Sequence, residues 1–328
     1  MKYRQLGSTG LELSEIGFGG WGIGGVTNNT VSYGQTDETE SLKALRKAFE
    51  LGVTFYDTAD LYGEGRSERL IGQAFKKARS KVVIASKVTL VDFDGTRRAS
   101  CEHIRKSLEG SLKRLETDYL DLYQLFDPAK AGMDYLKKDA RILQTLQDLV
   151  KEGKIRAYGI SARSPDDALF AINTYGFKSV QVNFNLLDQR AGENGLMEAC
   201  SRQQVGVIIR TPLCFGFLTG AYAADGAFKE GDHRNQWAPE QRALWADAHQ
   251  VFSEVRTSAS ETPGQWALRF CLSYPAVACA IPGMLKEAHA LENTKASDLG
   301  VLSKEERKSA EAIYKKHNFF IGQHVLPQ

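Results

Sequence analysis

"IGFGGWGIGG", residues 16–25, decides between two architectures. Gly17, Gly19 and Gly22 spell G-x-G-x-x-G, the turn that receives a dinucleotide pyrophosphate in an open, doubly wound sheet. Such a turn must open a helix directly, within a compact βαβ unit, and meet an acidic residue about twenty positions on. Here the glycines lead into "VTNNTVSYGQTD", a polar stretch, and helical spacing begins only near Glu38. The glycines are therefore read as a flexible loop after a first strand, carrying Trp21 over the strand end.

Outward from that loop, one alternating pattern runs through the chain. Apolar runs rich in β-branched and aromatic residues predict strands at 16–18, 54–57, 82–87, 119–126, 156–161, 179–182, 206–211 and 277–281. Between them lie helical stripes, such as Leu42, Leu45 and Phe49, then Ile104, Leu108, Leu112 and Leu115, then Ile142, Leu146, Leu149 and Val150. "SPDDALF" at 164 and "TPGQWALRF" at 262 each pair a capping hydroxyl with a proline at the first helical position. Eight strands alternating with about eight helices argue for parallel strands and right-handed crossovers. The 328 residues exceed the roughly 250 that a closed (β/α)₈ barrel needs. No composition shift or linker divides the chain, so the expectation is one TIM-barrel domain over 1–328. "YRQLGSTGLELSEI" predicts an N-terminal β-hairpin closing the barrel bottom, and the chain should end in an extra C-terminal helix.

Forty-two basic residues against 40 acidic ones, well mixed, leave no nucleic-acid footprint. Five scattered cysteines without C-x-x-C suit a reducing compartment, and nothing calls for a metal. The first residues lack an apolar signal region and no apolar run reaches membrane-spanning length, so a soluble cytoplasmic protein is expected. Oligomeric state is not legible.

Barrel chemistry sits where strands end. Those positions carry Asp57, Lys87, Phe126, Ser161, Gln181, Arg210 and Pro282. Asp57 and Lys87 end neighbouring strands, and Tyr62 follows five residues after Asp57. A phenol beside a lysine held by an aspartate has a use: the ammonium favours the phenolate, lowers the tyrosine pKa and makes a better acid near neutral pH.

"FYDTADLYGEGRSERLIG", starting at Phe55, resembles the signature of the aldo-keto reductases, NAD(P)H-dependent enzymes on a (β/α)₈ barrel. "IASKV", "SLKRLETDYLDLYQL", "GKIRAYGIS", "VQVNFN", "PLCFGFLTG" and "IPGMLKEAHALEN" follow in family order, so the resemblance covers nearly the whole chain. "FKEGDHR" resembles the bacterial branch that includes the reductase associated with inositol utilisation. The resemblance implies a catalytic tetrad, of which Asp57, Tyr62 and Lys87 fill three places. The fourth, a histidine in the family, is Phe126 in "LYQLFDP", which cannot donate a hydrogen bond. Phe126 and Trp21 then become aromatic walls of a substrate pocket.

The same resemblance implies the cofactor contacts. Ser161 and Gln181 would hold the nicotinamide carboxamide, although Ala162 replaces an expected asparagine, and Arg210 would stack on the ring. Leu213, Gly216 and Leu218 would pass their backbone beside the pyrophosphate. Gly283, Lys286, His289, Glu292 and Asn293 would receive the adenosine end. Lys286 and His289 could face a 2′-phosphate at a helix N-terminus, which favours NADPH over NADH. The expected function is reduction of a small-molecule carbonyl (aldehyde, ketone or keto-sugar), with Tyr62 as proton donor. The alternatives are reduction of an activated C=C bond and a low-turnover cofactor sensor of the potassium-channel-subunit type.

Overall fold

A computed structural model describes residues 1–90, 100–126, 136, 139–256 and 260–322. Asp127 and Pro128 of "LYQLFDP" lie outside the described residues. Two short antiparallel strands, β1 (Tyr3–Gln5) and β2 (Glu12–Ser14), form the predicted hairpin. Eight parallel strands follow: β3 (Phe18–Gly19), β4 (Phe55–Asp57), β5 (Val83–Thr89), β6 (Leu120–Phe126), β7 (Ile155–Ser161), β8 (Ser179–Asn183), β9 (Gly206–Arg210) and β10 (Val277–Ala280). They pair in chain order. The sheet closes where Gly17 N–H donates to the Ala280 carbonyl at 2.8 Å and Gly19 N–H to Pro282 at 3.0 Å. All the predicted strands are present, with bounds that differ by a residue or two.

Strand periodicity sorts the barrel interior into layers, because every second side chain points inward. Phe55, Ala85, Leu122, Ala157 and Ile208 form an apolar layer, plugged by Leu6, Leu11 and Leu13 of the hairpin. Two residues further along the strands the interior turns polar, with Asp57, Lys87 and Gln124. That change occurs at the mouth to which the βα loops belong.

The outer helices obey their sequence signals. Asp37 caps Glu38–Glu50, Ser100 caps Cys101–Leu115, and Ser164 caps Pro165–Tyr175. Thr262 and Gln265 form a reciprocal capping box on Pro263–Leu272. Each such cap typically contributes about 1 kcal/mol. Ile142, Leu146 and Leu149 are buried, whereas Val150 is 36% exposed, because it lies off the stripe. Among the longer helices of the described residues, Pro239–Val251 before the last strand and Lys304–Lys316 at the C-terminal side are additions to the barrel. Among the described residues no helix is long and apolar enough to cross a membrane.

The glycine-rich opening corrects one expectation. It forms a one-turn helix, Trp21–Gly24, rather than a flexible loop. Its glycines serve close packing: a Cβ on Gly20 would sit 2.6 Å from the Asp57 carbonyl oxygen, and one on Gly24 would sit 2.7 Å from the Tyr62 carbonyl carbon. Opposite, Gly63 has φ +59° and a Cβ there would strike Gly24. The first loop therefore locks against the turn that carries Tyr62.

Candidate active site

Asp57 ends β4 and Lys87 lies inside β5, both almost fully buried. The Lys87 ammonium uses its three protons on three acceptors: Asp57 Oδ1 at 2.5 Å, the Thr58 carbonyl at 2.9 Å and the Tyr62 hydroxyl at 3.2 Å. Asp57 Oδ2 accepts from Gln181 Nε2 at 2.8 Å and Gln124 Nε2 at 3.1 Å. A buried ion pair is costly unless its remaining lone pairs and protons are bonded, and here they are. The lysine is thereby held in one position beneath the phenol.

Tyr62 is half-buried and borders the cleft, so the network reaches the open space through its hydroxyl. Burial pushes the Tyr62 phenol above its ordinary value, Lys87 pulls it down, and Asp57 behind the lysine pushes it up again. The expected net lowering is therefore overturned. Desolvation outweighs the ammonium, whose charge is largely matched by the aspartate. Tyr62 consequently keeps its proton at neutral pH.

The cleft measures about 1800 Å³, well above the roughly 300–1,000 Å³ of an ordinary small-ligand pocket. It brings together Trp21, Asp57, Tyr62, Phe126, Ser161, Gln181, Arg210, Leu213, Gly216, Gly283, His289, Glu292 and Asn293. Lys87 lies behind its floor. Two further expected residues are absent from its lining: Leu218 packs into the core, and Lys286 faces solvent as the N-cap of helix Glu287–Leu299. Three others have local partners. Ser161 Oγ donates to Gln181 Oε1 at 3.2 Å, Thr262 Oγ1 donates to Glu292 Oε1 at 2.5 Å, and His289 Nδ1 accepts the Leu285 N–H at 3.2 Å. Phe126 aligns with Ser161 across β6 and β7, and its ring borders the cavity.

Arg210 is half-buried and burial lowers its pKa. One 3.5 Å bond runs from Nη2 to the Ala162 carbonyl, while Nε has no partner among the described residues. Asn183, its register partner on β8, donates to Asp188 at 2.6 Å and leaves Oδ1 unpartnered in the same sense. An unmatched donor and an unmatched acceptor thus adjoin at the mouth. Beyond β9 the backbone is left-handed at Thr211, Cys214, Phe215 and Gly216, with φ of 57°, 45°, 56° and 93°. Non-glycine residues in that region cost about 1–3 kcal/mol each and cluster at ligand clamps.

Several residues of the site and its surroundings escape a reading of the sequence. Gln124 leaves a signal, a polar residue of inward parity in an apolar strand. Tyr33, Phe215, His233 and Trp237 leave none, because two separate loops bring them together. Trp21, Tyr33 and His233 pack edge to face, with ring centroids 4.6 to 5.1 Å apart. His233 N–H donates to the Ser32 carbonyl at 2.8 Å and ties the loops across the mouth.

Known proteins share this architecture. The model of the aldo/keto reductase family matches residues 15–315. A Bacillus subtilis (strain 168) protein named uncharacterized oxidoreductase YqkF is 30% identical over 97% of this chain and 99% of its own length. The Schizosaccharomyces pombe (strain 972 / ATCC 24843) aldo-keto reductase yakc [NADP(+)] is 32% identical over 85% of this chain and 82% of its own. Among solved structures, the holo form of aldo-keto reductase AKR11C1 from Bacillus halodurans superposes with a TM-score of 0.76. It is 27% identical, with 99% of each chain covered.

Proposed function

The chain belongs to the aldo/keto reductase family and is an NAD(P)H-dependent oxidoreductase; on that premise we propose that it reduces a small-molecule carbonyl with NADPH, Tyr62 giving the proton. The observation that carries this reading is the buried Asp57–Lys87–Tyr62 network, which meets the cleft at the half-buried Tyr62.

The residues present fit the cofactor. Arg210 Nε and Asn183 Oδ1, both buried without partners among the described residues, offer the donor and acceptor that a carboxamide complements, and Ser161 and Gln181 line the same end. The strained turn at 211–216 brings Leu213 and Gly216 to the cleft wall, where a pyrophosphate can lie against backbone. At the far end Gly283 leaves open space, since a Cβ there would meet only Tyr33 at 3.8 Å. Glu292 and Asn293 line the same side. Lys286 and the helix N-terminus after it would receive a 2′-phosphate, and the relative yakc carries NADP(+) in its name. His289 contributes less than expected, because its Nδ1 is already occupied by a backbone N–H.

When bound, NADPH supplies a hydride to the carbonyl carbon. Tyr62 transfers its phenolic proton to the carbonyl oxygen, leaving an alcohol and a phenolate. Lys87 already donates to that oxygen and stabilises the phenolate until solvent reprotonates it. Trp21 and Phe126 shape the wall beside the reacting group. Phe126 offers no second donor to the developing oxyanion, so the enzyme should be slow on generic aldehydes.

The test is NADPH consumption across aldehydes, ketones, keto-sugars and one enone, with products identified. Alcohol products support carbonyl reduction. A saturated ketone from the enone without alcohol would transfer the assignment to C=C reduction. Tight NADPH binding with no turnover on any member would leave the sensor role.

A further inference from the structure

His233 is 6% exposed and sits among the rings of Trp21, Tyr33, Phe215 and Trp237, with centroids 4.6 to 5.3 Å away. Its Nδ1 lies 3.2 Å from the Ser32 carbonyl oxygen, which can only accept, so Nδ1 carries the proton. Nε2 is then a bare lone pair, and it is buried with no partner among the described residues. Burial holds the ring neutral, with its pKa pushed down to about 4. One step away, Trp237 is 8% exposed and its Nε1–H, a donor only, is equally unpartnered. Both residues border the cleft that contains Tyr62.

The two rings lie 5.1 Å apart, centroid to centroid, one carrying an unmatched buried acceptor and the other an unmatched buried donor; each orphan forfeits its hydration. A hydroxyl complements both, since it donates through hydrogen and accepts through oxygen. An aldehyde or ketone alone cannot, because a carbonyl oxygen only accepts. Aliphatic carbons carrying such a hydroxyl would find the faces and edges of Trp21 and Phe215 around them.

We propose that His233 Nε2 and Trp237 Nε1 form a subsite for a hydroxyl group of the substrate, so that this enzyme prefers hydroxylated carbonyl compounds to their deoxy counterparts. The proposal rests on the carbonyl-reductase reading above and deepens it. Both residues are specificity determinants away from the proton donor. A site built to hydrogen-bond a hydroxyl discriminates strongly, because the analogue lacking it leaves buried polar groups unpaired.

The experiment compares kcat/KM for two matched substrates, glyceraldehyde and propanal, in the wild type, His233→Phe, Trp237→Phe and His233→Gln. Intrinsic reactivity of the two aldehydes cancels in the comparison among variants. Phenylalanine at 233 keeps an aromatic ring and removes the acceptor. Phenylalanine at 237 removes the N–H. Each should lower the glyceraldehyde-to-propanal ratio about three- to tenfold, mainly through KM for glyceraldehyde, with propanal little changed. His233→Gln, which restores an acceptor oxygen, should recover part of the ratio. NADPH affinity, titrated by fluorescence, should stay within about twofold, which separates this role from closing a loop over the cofactor. An unchanged ratio in both phenylalanine variants, or equal losses on both substrates, overturns the subsite even when the wild type reduces both aldehydes well. A wild type that reduces neither overturns the parent reading, and the subsite with it. Should His233→Phe fail to fold, Trp237→Phe alone decides by the same ratio.

Discussion

The Lys87 ammonium lies 3.2 Å from the Tyr62 hydroxyl and donates to it, although Lys87 lies in β5 and Tyr62 in the turn that follows β4. A lysine that donates to a phenol matters most once the phenol has lost its proton. The arrangement therefore bears chiefly on the phenolate, which in the proposed mechanism is the form left after carbonyl reduction and needed to begin alcohol oxidation.

Replacing Lys87 by methionine should thus impair alcohol oxidation more than carbonyl reduction. The tyrosine pKa, already raised by burial, loses its downward pull and rises further. Reduction needs the protonated phenol and stays available across neutral pH, whereas oxidation needs the phenolate and becomes confined to more alkaline solution. The ratio of forward to reverse kcat, each with both substrates saturating, measures this independently of how much protein is active. Stability should also fall by about 3–5 kcal/mol, since Asp57 is left buried without its ion partner. A ratio equal to that of the wild type would contradict the role assigned to Lys87.

The proposed preference for NADPH rests on the far end of the cleft. Lys286 faces solvent at the start of helix Glu287–Leu299 with no acidic partner among the described residues, so its charge is available to a phosphate. Lys286→Ala should weaken NADPH by about tenfold, or about 1.4 kcal/mol, and leave NADH unchanged. Fluorescence titration of both nucleotides decides. Equal affinities in the wild type would remove the 2′-phosphate contact from the account.

Acid should destabilise the fold through His233. Its folded pKa is about 4 against an ordinary 6.5, so the unfolded chain binds this proton more readily. Its contribution is full above about pH 6.5 and is lost as pH falls towards 4, amounting to about 3 kcal/mol. Urea unfolding at pH 7.5 and pH 4.5 should show a smaller acid penalty in His233→Phe than in the wild type. Parallel losses in the two proteins would contradict the buried, neutral histidine.

The Phe126 wall yields a prediction of gain. In organised sites one donor to a developing oxyanion is worth about 2.7–4 kcal/mol. Phe126→His should raise turnover of small activated aldehydes by tenfold or more and weaken substrates that pack on the ring. Steady-state rates with cofactor saturating test it. No gain on any carbonyl, with folding and NADPH binding intact, would mean that the missing donor does not limit the rate.

Much of this arrangement is legible in the sequence, for physical reasons. Alternating strands and helices identify a barrel, and inward parity at strand ends places Asp57, Lys87, Ser161 and Gln181 at one mouth. The direction of the Tyr62 shift is not legible, because it depends on how deeply the phenol is buried and on the aspartate behind the lysine. Nor is the purpose of Gly19, Gly20 and Gly24, which fit backbones against each other rather than loosening a loop. His233 and Trp237 are invisible for a third reason. Their meaning arises from a loop some 200 residues from Trp21 and Ser32 folding across the mouth, and no local pattern encodes that meeting.

The most direct test of the account is the rate of carbonyl reduction by Tyr62→Phe with NADPH saturating. The substitution removes one oxygen, the atom held 3.2 Å from Lys87, and leaves the ring to pack as before. Turnover should fall by about 10²–10⁴-fold while NADPH affinity stays nearly unchanged. A variant that binds NADPH normally and keeps most of its activity would contradict the claim that Tyr62 supplies the proton.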